Sequence, residues 1–396
     1  MENSLYRQNV ILLFSLESIN NAGDEILRVT TEYLIKQVST CKIIRIQLKP
    51  RKSDVYGLNR LYWYLGTILR KISKYIPIPN LSYRVKNVGY VVSYGGIFQN
   101  RVKEADKVIL PIGMLKYSTQ DFSYVFNMIT SICSKLGKPV LMSGMSPEIK
   151  NVDDWRYKQL VNAVNAPSVK MITTRDGQKG VDIINSQYLK RNIPCEYVGD
   201  PALWIPETYN VKRCENKTSL PTIGVNIIRN GIFDDYNKSY TDDKLFALYS
   251  ELLCLLDEKG WNWKLFCNGI KSDWKVIEKI ASELNIQADR ICPIPQNGEE
   301  FVKMISQYDA VFGARLHTCI TSVSLSVPIV GFVWDDKIKY FSETMGIENF
   351  FFHPSDMTAE KVVKALDEAM SFQIDISNRE KYKHKTMESI RTFLNC

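Results

Sequence analysis

The chain has 396 residues, 45% of them hydrophobic and 24% charged, with 20 Gly and 15 Pro. This is ordinary globular usage, which excludes a disordered chain or a fibrous repeat, and the length exceeds what one hydrophobic core serves, so two domains are expected. Fifty-one Lys+Arg against 43 Asp+Glu leave a net charge of +8, an excess that points to an anionic partner without locating it.

In chain order, Met1–Asn9 carries charges but no apolar run with a small-residue cleavage site, so no signal peptide is expected. Short β-branched runs at Val10–Leu16, Ile43–Leu48, Gly89–Ser93, Val108–Ile112, Val140–Ser143 and Val169–Thr173 read as buried strands. Amphipathic helical stretches lie between several of them, as at Asp24–Val38. A second series begins at Thr222, with strands at Ile223–Ile228, Trp263–Cys267, Arg290–Ile294, Ala310–Gly313 and Pro328–Val333. Its helices are expected at Asp242–Lys259, Asp273–Leu284, Glu299–Gln307, Thr318–Ser324, Lys337–Met345 and Thr358–Met370. Such alternation implies parallel sheets covered on both faces. The fold class is therefore α/β, with two doubly wound, Rossmann-like domains. They are expected over 1–205 and 222–371, joined by a polar linker at 206–221. A charged tail, 372–396, has the option of packing back on the first domain.

One segment breaks the alternation. Residues 50–87 form an insertion rich in aromatics and bases, in which Arg60–Tyr75 can make an amphipathic helix. It reads either as a helix packed on the domain with a solvated basic side, or as a surface helix against an acidic membrane or polymer. Between Lys42 and Lys86 stand eleven Lys+Arg and one Asp, a net of +10 that leaves the rest of the chain at −2. The basic excess thus belongs to this one stretch. That argues against nucleic acid and for a docking surface, 51–86, at an anionic membrane.

In parallel α/β sheets ligands gather at the carboxyl ends of strands, where loops meet helix N-termini. Asn21-Ala22-Gly23-Asp24 follows the first strand, where Asn21 or Asp24 can cap a helix and Gly23 permits close backbone approach. Ser93-Tyr94-Gly95-Gly96 follows the expected strand at Gly89, as a tight turn or a sugar or phosphate contact. The strongest local signal is Gly313-Ala314-Arg315-Leu316-His317-Thr318, which sets an Arg and one of only three His at a helix N-terminus. A proton donor to a bound anion is useful there. Arg175 and Arg229 also end strands, and three guanidinium groups so placed make a polyanion site plausible. No Walker A, GxGxxG or GxSxG sequence occurs. The nine cysteines are scattered without CxxC or short Cys/His spacing, so no zinc site, disulfide framework or other metal centre is expected. Reduced thiols suit a cytoplasmic protein, with peripheral attachment at the inner face of the plasma membrane as the companion reading.

The order of these motifs resembles the polysaccharide pyruvyl transferase family across most of the chain. Asn21-Ala22-Gly23-Asp24 is similar to its N-x-G-D loop, and Ser93-Tyr94-Gly95-Gly96 to its S-G-G turn with Tyr94 inserted. Thr174-Arg175-Asp176 resembles its R-D motif, and Gly199-Asp200-Pro201-Ala202-Leu203 its D-P-A-L segment. Arg315-Leu316-His317, Val327-Pro328-Ile329-Val330 and Lys337 resemble its R-x-H…vP…K block. Ser143-Gly144-Met145-Ser146-Pro147 departs from the family's G-Q-s-I-G-P-like run.

The resemblance implies a GT-B-like fold whose domains face a cleft. It also implies transfer of the enolpyruvyl group of phosphoenolpyruvate to a saccharide of a surface or capsular polysaccharide precursor, with no cofactor beyond that donor. His317 is then the candidate acid, with Arg315 and Arg175 holding the anion. Arg229, Lys337, Asn226 and Leu316 are further donor contacts, and Asn21, Gly23, Asp24, Gly95 and Gly96 line the acceptor side. The rival reading is a GT-B glycosyltransferase using a sugar nucleotide, for which Glu360 and Glu368 have a suggestive spacing.

Overall fold

The computed structural model describes residues 8–16, 21–50, 55–118, 121–148, 151–214, 220–235, 240–372 and 375–396. Residues 1–7, Asn20, 51–54 of the basic insertion and 215–219 of the expected linker lie outside them. The chain divides into two compact units. Unit 1 comprises Met1–Leu16, Leu34–Val198 and Met387–Cys396, and unit 2 comprises Glu17–Tyr33 and Gly199–Thr386.

The first unit carries β1 (Val10–Ser15), part of α1 (Ala22–Val38), β2 (Lys42–Gln47), α2 (Leu58–Ser73) and α3 (Pro79–Glu104). These are followed by β3 (Lys107–Leu110), α4 (Ser123–Lys135), β4 (Val140–Met142), α5 (Trp155–Val164), β5 (Val169–Thr174), α6 (Gly177–Ile183) and β6 (Cys195–Tyr197). Its six strands run parallel in the order β2-β1-β3-β4-β5-β6. Short apolar runs such as Val108-Ile109-Leu110 are wholly buried, as a sheet covered on both faces requires.

The second unit holds α7 (Ile205–Tyr209), β7 (Thr222–Asn226), α8 (Ile232–Asp235), α9 (Asp242–Glu258), β8 (Asn262–Phe266), α10 (Lys271–Glu283) and α11 (Gly298–Ile305). After these come β9 (Ala310–Gly313), α12 (Leu316–Ser324), β10 (Ile329–Phe332), α13 (Asp336–Met345), β11 (Phe351–Phe352), α14 (Ala359–Ser371) and the first part of α15 (Ile376–Asn395), whose end belongs to unit 1. Its parallel sheet is ordered β11-β10-β9-β7-β8. Numbered within its own unit this is 2-1-3-4-5, the same winding as the first sheet, with the strand order reversing between β7 and β9.

Four expectations need correction. The strand at Gly89–Ser93 does not exist: α3 runs through it, and Gly95 and Gly96 sit inside a helix rather than in a turn. The β-branched run Val88–Val92 is overridden by packing against α2, where Gly66 and Gly89 face each other. A Cβ on Gly89 would stand 2.6 Å from the Gly66 carbonyl oxygen, and one on Gly66 would overlap the Gly89 carbonyl. Gly66→Ala is therefore expected to destabilise the protein by about 1–3 kcal/mol, read from urea unfolding.

The Arg290–Ile294 strand is reduced to one bridge between Leu265 and Ile291. The polar stretch expected as a linker is fastened to unit 2 as far as it is described: Arg213 Nη2 donates to the Asp309 carbonyl (3.0 Å) and Cys214 N to Ser306 (2.8 Å). The unit boundary falls instead at Val198–Gly199. Finally, the described residues 21–33 cluster with unit 2 rather than with the N-terminal domain. The last ten residues cluster with unit 1, where Lys107 Nζ donates to the carbonyls of Phe393 (2.9 Å) and Leu394 (2.8 Å).

In unit 1 the loops at the carboxyl ends of β3, β4 and β5 are tied together. Ser146 Oγ donates to Asp176 (2.8 Å), Gly144 N to Thr173 Oγ1 (2.9 Å), and Glu148 accepts from Tyr117 N (3.1 Å), Ser118 N (3.1 Å) and the Ser118 hydroxyl. Burial pushes the Glu148 carboxyl up, but the Ser118 hydroxyl, the two backbone N–H groups and Lys116 outweigh it and hold the group below the usual glutamate range. Its contribution to stability is thus complete above the ordinary glutamate value and is lost as pH falls through the depressed folded value. Melting temperatures followed from about pH 6 to about pH 3 are expected to fall less steeply in Glu148→Gln than in the parent.

Candidate active site in the second unit

The strand order of unit 2 reverses between β7 and β9, the place where doubly wound sheets open a crevice at their carboxyl ends. Asn226, the last residue of β7, spans that crevice. Its Oδ1 accepts from Ala314 N (3.2 Å) and Arg315 N (3.0 Å), and its Nδ2 donates to Asn268 Oδ1 (3.1 Å). The Thr318 hydroxyl stands 2.9 Å from Asn226 Oδ1 and 2.8 Å from Asn268 Oδ1. Asn226 is fully buried under these bonds. The expectation of a direct donor contact is therefore corrected: Asn226 positions the loop that carries Arg315.

Arg315 is fixed from the side as well. Its Nε and Nη2 donate to the two carboxylate oxygens of Asp273 at 3.0 and 2.5 Å, and the indole of Trp334 lies under the guanidinium at 5.7 Å. Trp334 Nε1 in turn donates to the Ala314 carbonyl (2.5 Å). Asp273 also accepts from the Arg229 backbone N–H (2.9 Å), so the ends of β7 and β9 share one buried carboxylate. Burial pushes the Asp273 carboxyl above the ordinary aspartate range, and Arg315, the chief opposing influence, offsets this only in part. The Nε–Nη2 edge of the guanidinium is thus committed inward; Nη1 makes no hydrogen bond among the described residues. Asp273 and Trp334 were not singled out by motif. Asp273 reads as an ordinary acid in the first turn of a helix, and Trp334 as core.

Arg315 is the N-cap of α12 and supplies no side-chain cap, so the positive end of that helix is not closed by its own cap residue. Leu316 and the half-buried His317 form its first turn. Against the His317 ring lies the start of α1. A Cβ on Gly23 would overlap His317 Nδ1 and stand 2.6 Å from its Cγ. Asn21 caps α1, its Oδ1 accepting from Gly23 N (3.2 Å), and Ala22 N donates to the Asn268 carbonyl (2.9 Å). The half-buried Asp24 stands in the first turn of α1, where an acid suits the helix dipole. So Gly23 packs on the His317 ring, and Asn21, Gly23 and Asp24 cluster with unit 2 rather than forming a surface of the first domain. Gly23→Ala must turn or displace the ring. Its turnover is expected to drop by about a hundredfold with the melting temperature nearly kept.

The remaining residues are dispersed. Lys337 is half-buried in the first turn of α13, its N–H held by the cap Asp335 (3.1 Å) at the end of the neighbouring strand β10. Arg175 belongs to unit 1, at the carboxyl end of β5, with Nη2 3.4 Å from the Gly113 carbonyl oxygen. Gly95 and Gly96 also belong to unit 1, where an added Cβ on Gly96 would meet Asn59 at 2.7 Å. With both glycines inside a helix, the strand-end turn that would offer backbone N–H groups to a sugar is not there. Glu360 and Glu368 are exposed on α14, and Glu368 pairs with Lys364 of its own helix (3.6 Å). Their spacing is that of a solvated face, and the glycosyltransferase reading loses its one support. Among the described residues no group of three or more His, Cys, Asp or Glu could hold a metal ion, and the nine cysteines are free thiols.

Solved structures share the fold at very low identity. The UDP-GlcNAc 2-epimerase of Methanocaldococcus jannaschii matches with TM-score 0.61 and 9% identity, covering 98% of this chain and 100% of its own. The Neisseria meningitidis UDP-GlcNAc 2-epimerase gives 0.57 at 10% identity, with 98% and 100% covered. The N-terminal domain of Candida albicans trehalose-6-phosphate phosphatase gives 0.54 at 11%, covering 98% of each chain. These likenesses show a GT-B-like fold with two Rossmann-like units and nothing about substrate. No curated protein matches the chain. The family model for polysaccharide pyruvyl transferase matches residues 21–336, from the α1 cap beside His317 to the start of α13. The chain therefore belongs to the polysaccharide pyruvyl transferase family and is a transferase.

Proposed function

We propose that the protein transfers the enolpyruvyl carbons of phosphoenolpyruvate to two hydroxyls of one sugar in a surface or capsular polysaccharide precursor, forming a pyruvate ketal and releasing phosphate. One observation carries the proposal: Arg315, clamped on Asp273, stands two residues before His317 at the positive end of α12. Phosphoenolpyruvate has a phosphate and a carboxylate, which suit a guanidinium and a helix N-terminus. His317 gives a proton to C3 while a sugar hydroxyl adds to C2, and that hydroxyl's proton restores the acid. A second hydroxyl then takes the place of phosphate at C2, its proton leaving with the phosphate. Arg315 offsets charge on the leaving group, with Arg229 and Lys337 as further donor contacts. No cofactor enters this scheme. The saccharide is carried on a lipid at the inner face of an anionic plasma membrane, which the basic segment 51–86 meets peripherally.

Incubation with phosphoenolpyruvate and a pool of lipid-linked or oligosaccharide acceptors is expected to release phosphate and add pyruvate mass to an acceptor. Turnover with a sugar nucleotide and none with phosphoenolpyruvate would overturn the reading.

A further inference from the structure

The hairpin of α2 and α3 presents an apolar face to solvent that no described element covers. On α2, Leu58, Leu61, Leu65, Ile68, Ile72 and the following Tyr75 recur at spacings of three and four, which places them on one stripe. Their exposures run from 44% at Leu65 to 85% at Tyr75, whereas a stripe of that spacing is normally buried. The adjoining helix adds Leu81, Val88 and Val91, each about half exposed. Beside the stripe, Asn59, Tyr62, Leu65, Ile68, Leu69 and Val92 line a shallow groove of about 650 Å³.

The charge around this face is of one sign. From residue 55 to residue 103 the chain has eight Lys or Arg and no acid. Lys71, Lys74 and Arg84 are exposed next to the stripe. Arg70 is not available for docking: its Nη1 donates to Ser93 Oγ (2.5 Å) and the Gly89 carbonyl (3.0 Å), and its guanidinium lies 4.9 Å from the Tyr90 ring. That arginine holds the two helices together.

We infer that the outer face of the α2–α3 hairpin inserts into the headgroup boundary of an anionic lipid bilayer, with Lys71, Lys74 and Arg84 set among the headgroups. An apolar stripe with tyrosines and flanking lysines is the signature of a helix lying in an interface rather than crossing it. No helix among the described residues is long and apolar enough to cross a membrane. A second copy of the chain would set eight positive charges against eight, and a bilayer of anionic lipid neutralises them. The inference gives a definite seat to the membrane contact proposed above, and its test is independent of the transfer chemistry.

Flotation of the full chain with vesicles of phosphatidylglycerol and phosphatidylcholine, against phosphatidylcholine alone, reads the interaction directly. Binding is expected only with the anionic lipid. It is expected to fall more than about tenfold in Leu65→Asp/Ile68→Asp and about fivefold per lysine at low salt in Lys71→Gln/Lys74→Gln. Arg70→Gln would instead lower the melting temperature. The doubly acidic variant changes only exposed residues and should keep its melting temperature and its phosphate release with a soluble oligosaccharide. Absence of binding to phosphatidylglycerol vesicles, or binding that survives Leu65→Asp/Ile68→Asp, overturns the inference. So does a concentration-dependent dimer that these substitutions dissolve. Vesicle binding without phosphoenolpyruvate turnover would overturn the transfer reading and leave this one standing.

Discussion

Replacing His317 by alanine is expected to slow phosphate release from phosphoenolpyruvate by between about a hundredfold and ten-thousandfold, with the melting temperature close to that of the parent. The ring is half-buried and lies over the Gly23 backbone, so truncation removes some packing but opens no deep core cavity. Glutamine sharpens the test. It keeps the size and a hydrogen-bond donor, and so rescues a residue that merely holds an oxyanion. It cannot deliver a proton to carbon, so a residue that protonates C3 is not rescued. Equal losses in His317→Ala and His317→Gln therefore identify proton transfer, whereas near-normal turnover in either folded variant removes His317 from the role of acid. Gly23→Ala provides the geometric companion, because it leaves the imidazole chemistry intact and changes only where the ring stands.

Much of this arrangement could be read from the residues in order. Nine of the eleven strands lie in the expected apolar runs, the short edge strands β6 and β11 being the exceptions, and the short loop Gly313–His317 announces a strand running into a helix with an arginine and a histidine at its mouth. Three things could not be read. The α2–α3 hairpin was hidden because Val88–Val92 has strand composition and the Gly95-Gly96 pair mimics a turn. What decides for helix is the close approach of Gly66 and Gly89 and the Arg70 bridge, contacts separated by some twenty residues that no local pattern carries. The final helix α15 was hidden because its buried face includes Lys383, Thr386 and Ser389, which break the apolar period; Lys383 is neutralised by Glu207 (2.5 Å) and Thr386 donates to the Gly199 carbonyl (3.0 Å). The neighbourhood of His317 was only half legible. Asn21–Asp24 and His317 stand almost three hundred residues apart, and only the folded chain sets the start of α1 on the imidazole.

The carboxylate beneath Arg315 carries the second large expectation. Asp273→Ala leaves a guanidinium whose inward N–H groups have lost their acceptor in a buried place, and a cost of about 3–5 kcal/mol in unfolding free energy is expected. Asp273→Asn separates folding from function. The amide fills the same volume, and its one carbonyl oxygen can still take the Arg229 N–H, but it cannot also accept both Arg315 N–H groups. Arg315 then gains freedom at the place proposed to bind phosphoenolpyruvate. KM for phosphoenolpyruvate is expected to rise by about tenfold or more, with a smaller change in kcat if Arg315 binds the donor equally in ground and transition states. A larger loss in kcat would place the arginine on the departing phosphate. Arg315→Ala combined with Asp273→Asn should cost less than the sum of the two single changes, because both act through one ion pair. If Asp273→Asn folds with both constants at the parent's values, the carboxylate serves folding alone and Arg315 is held well enough by Asn226 and Trp334.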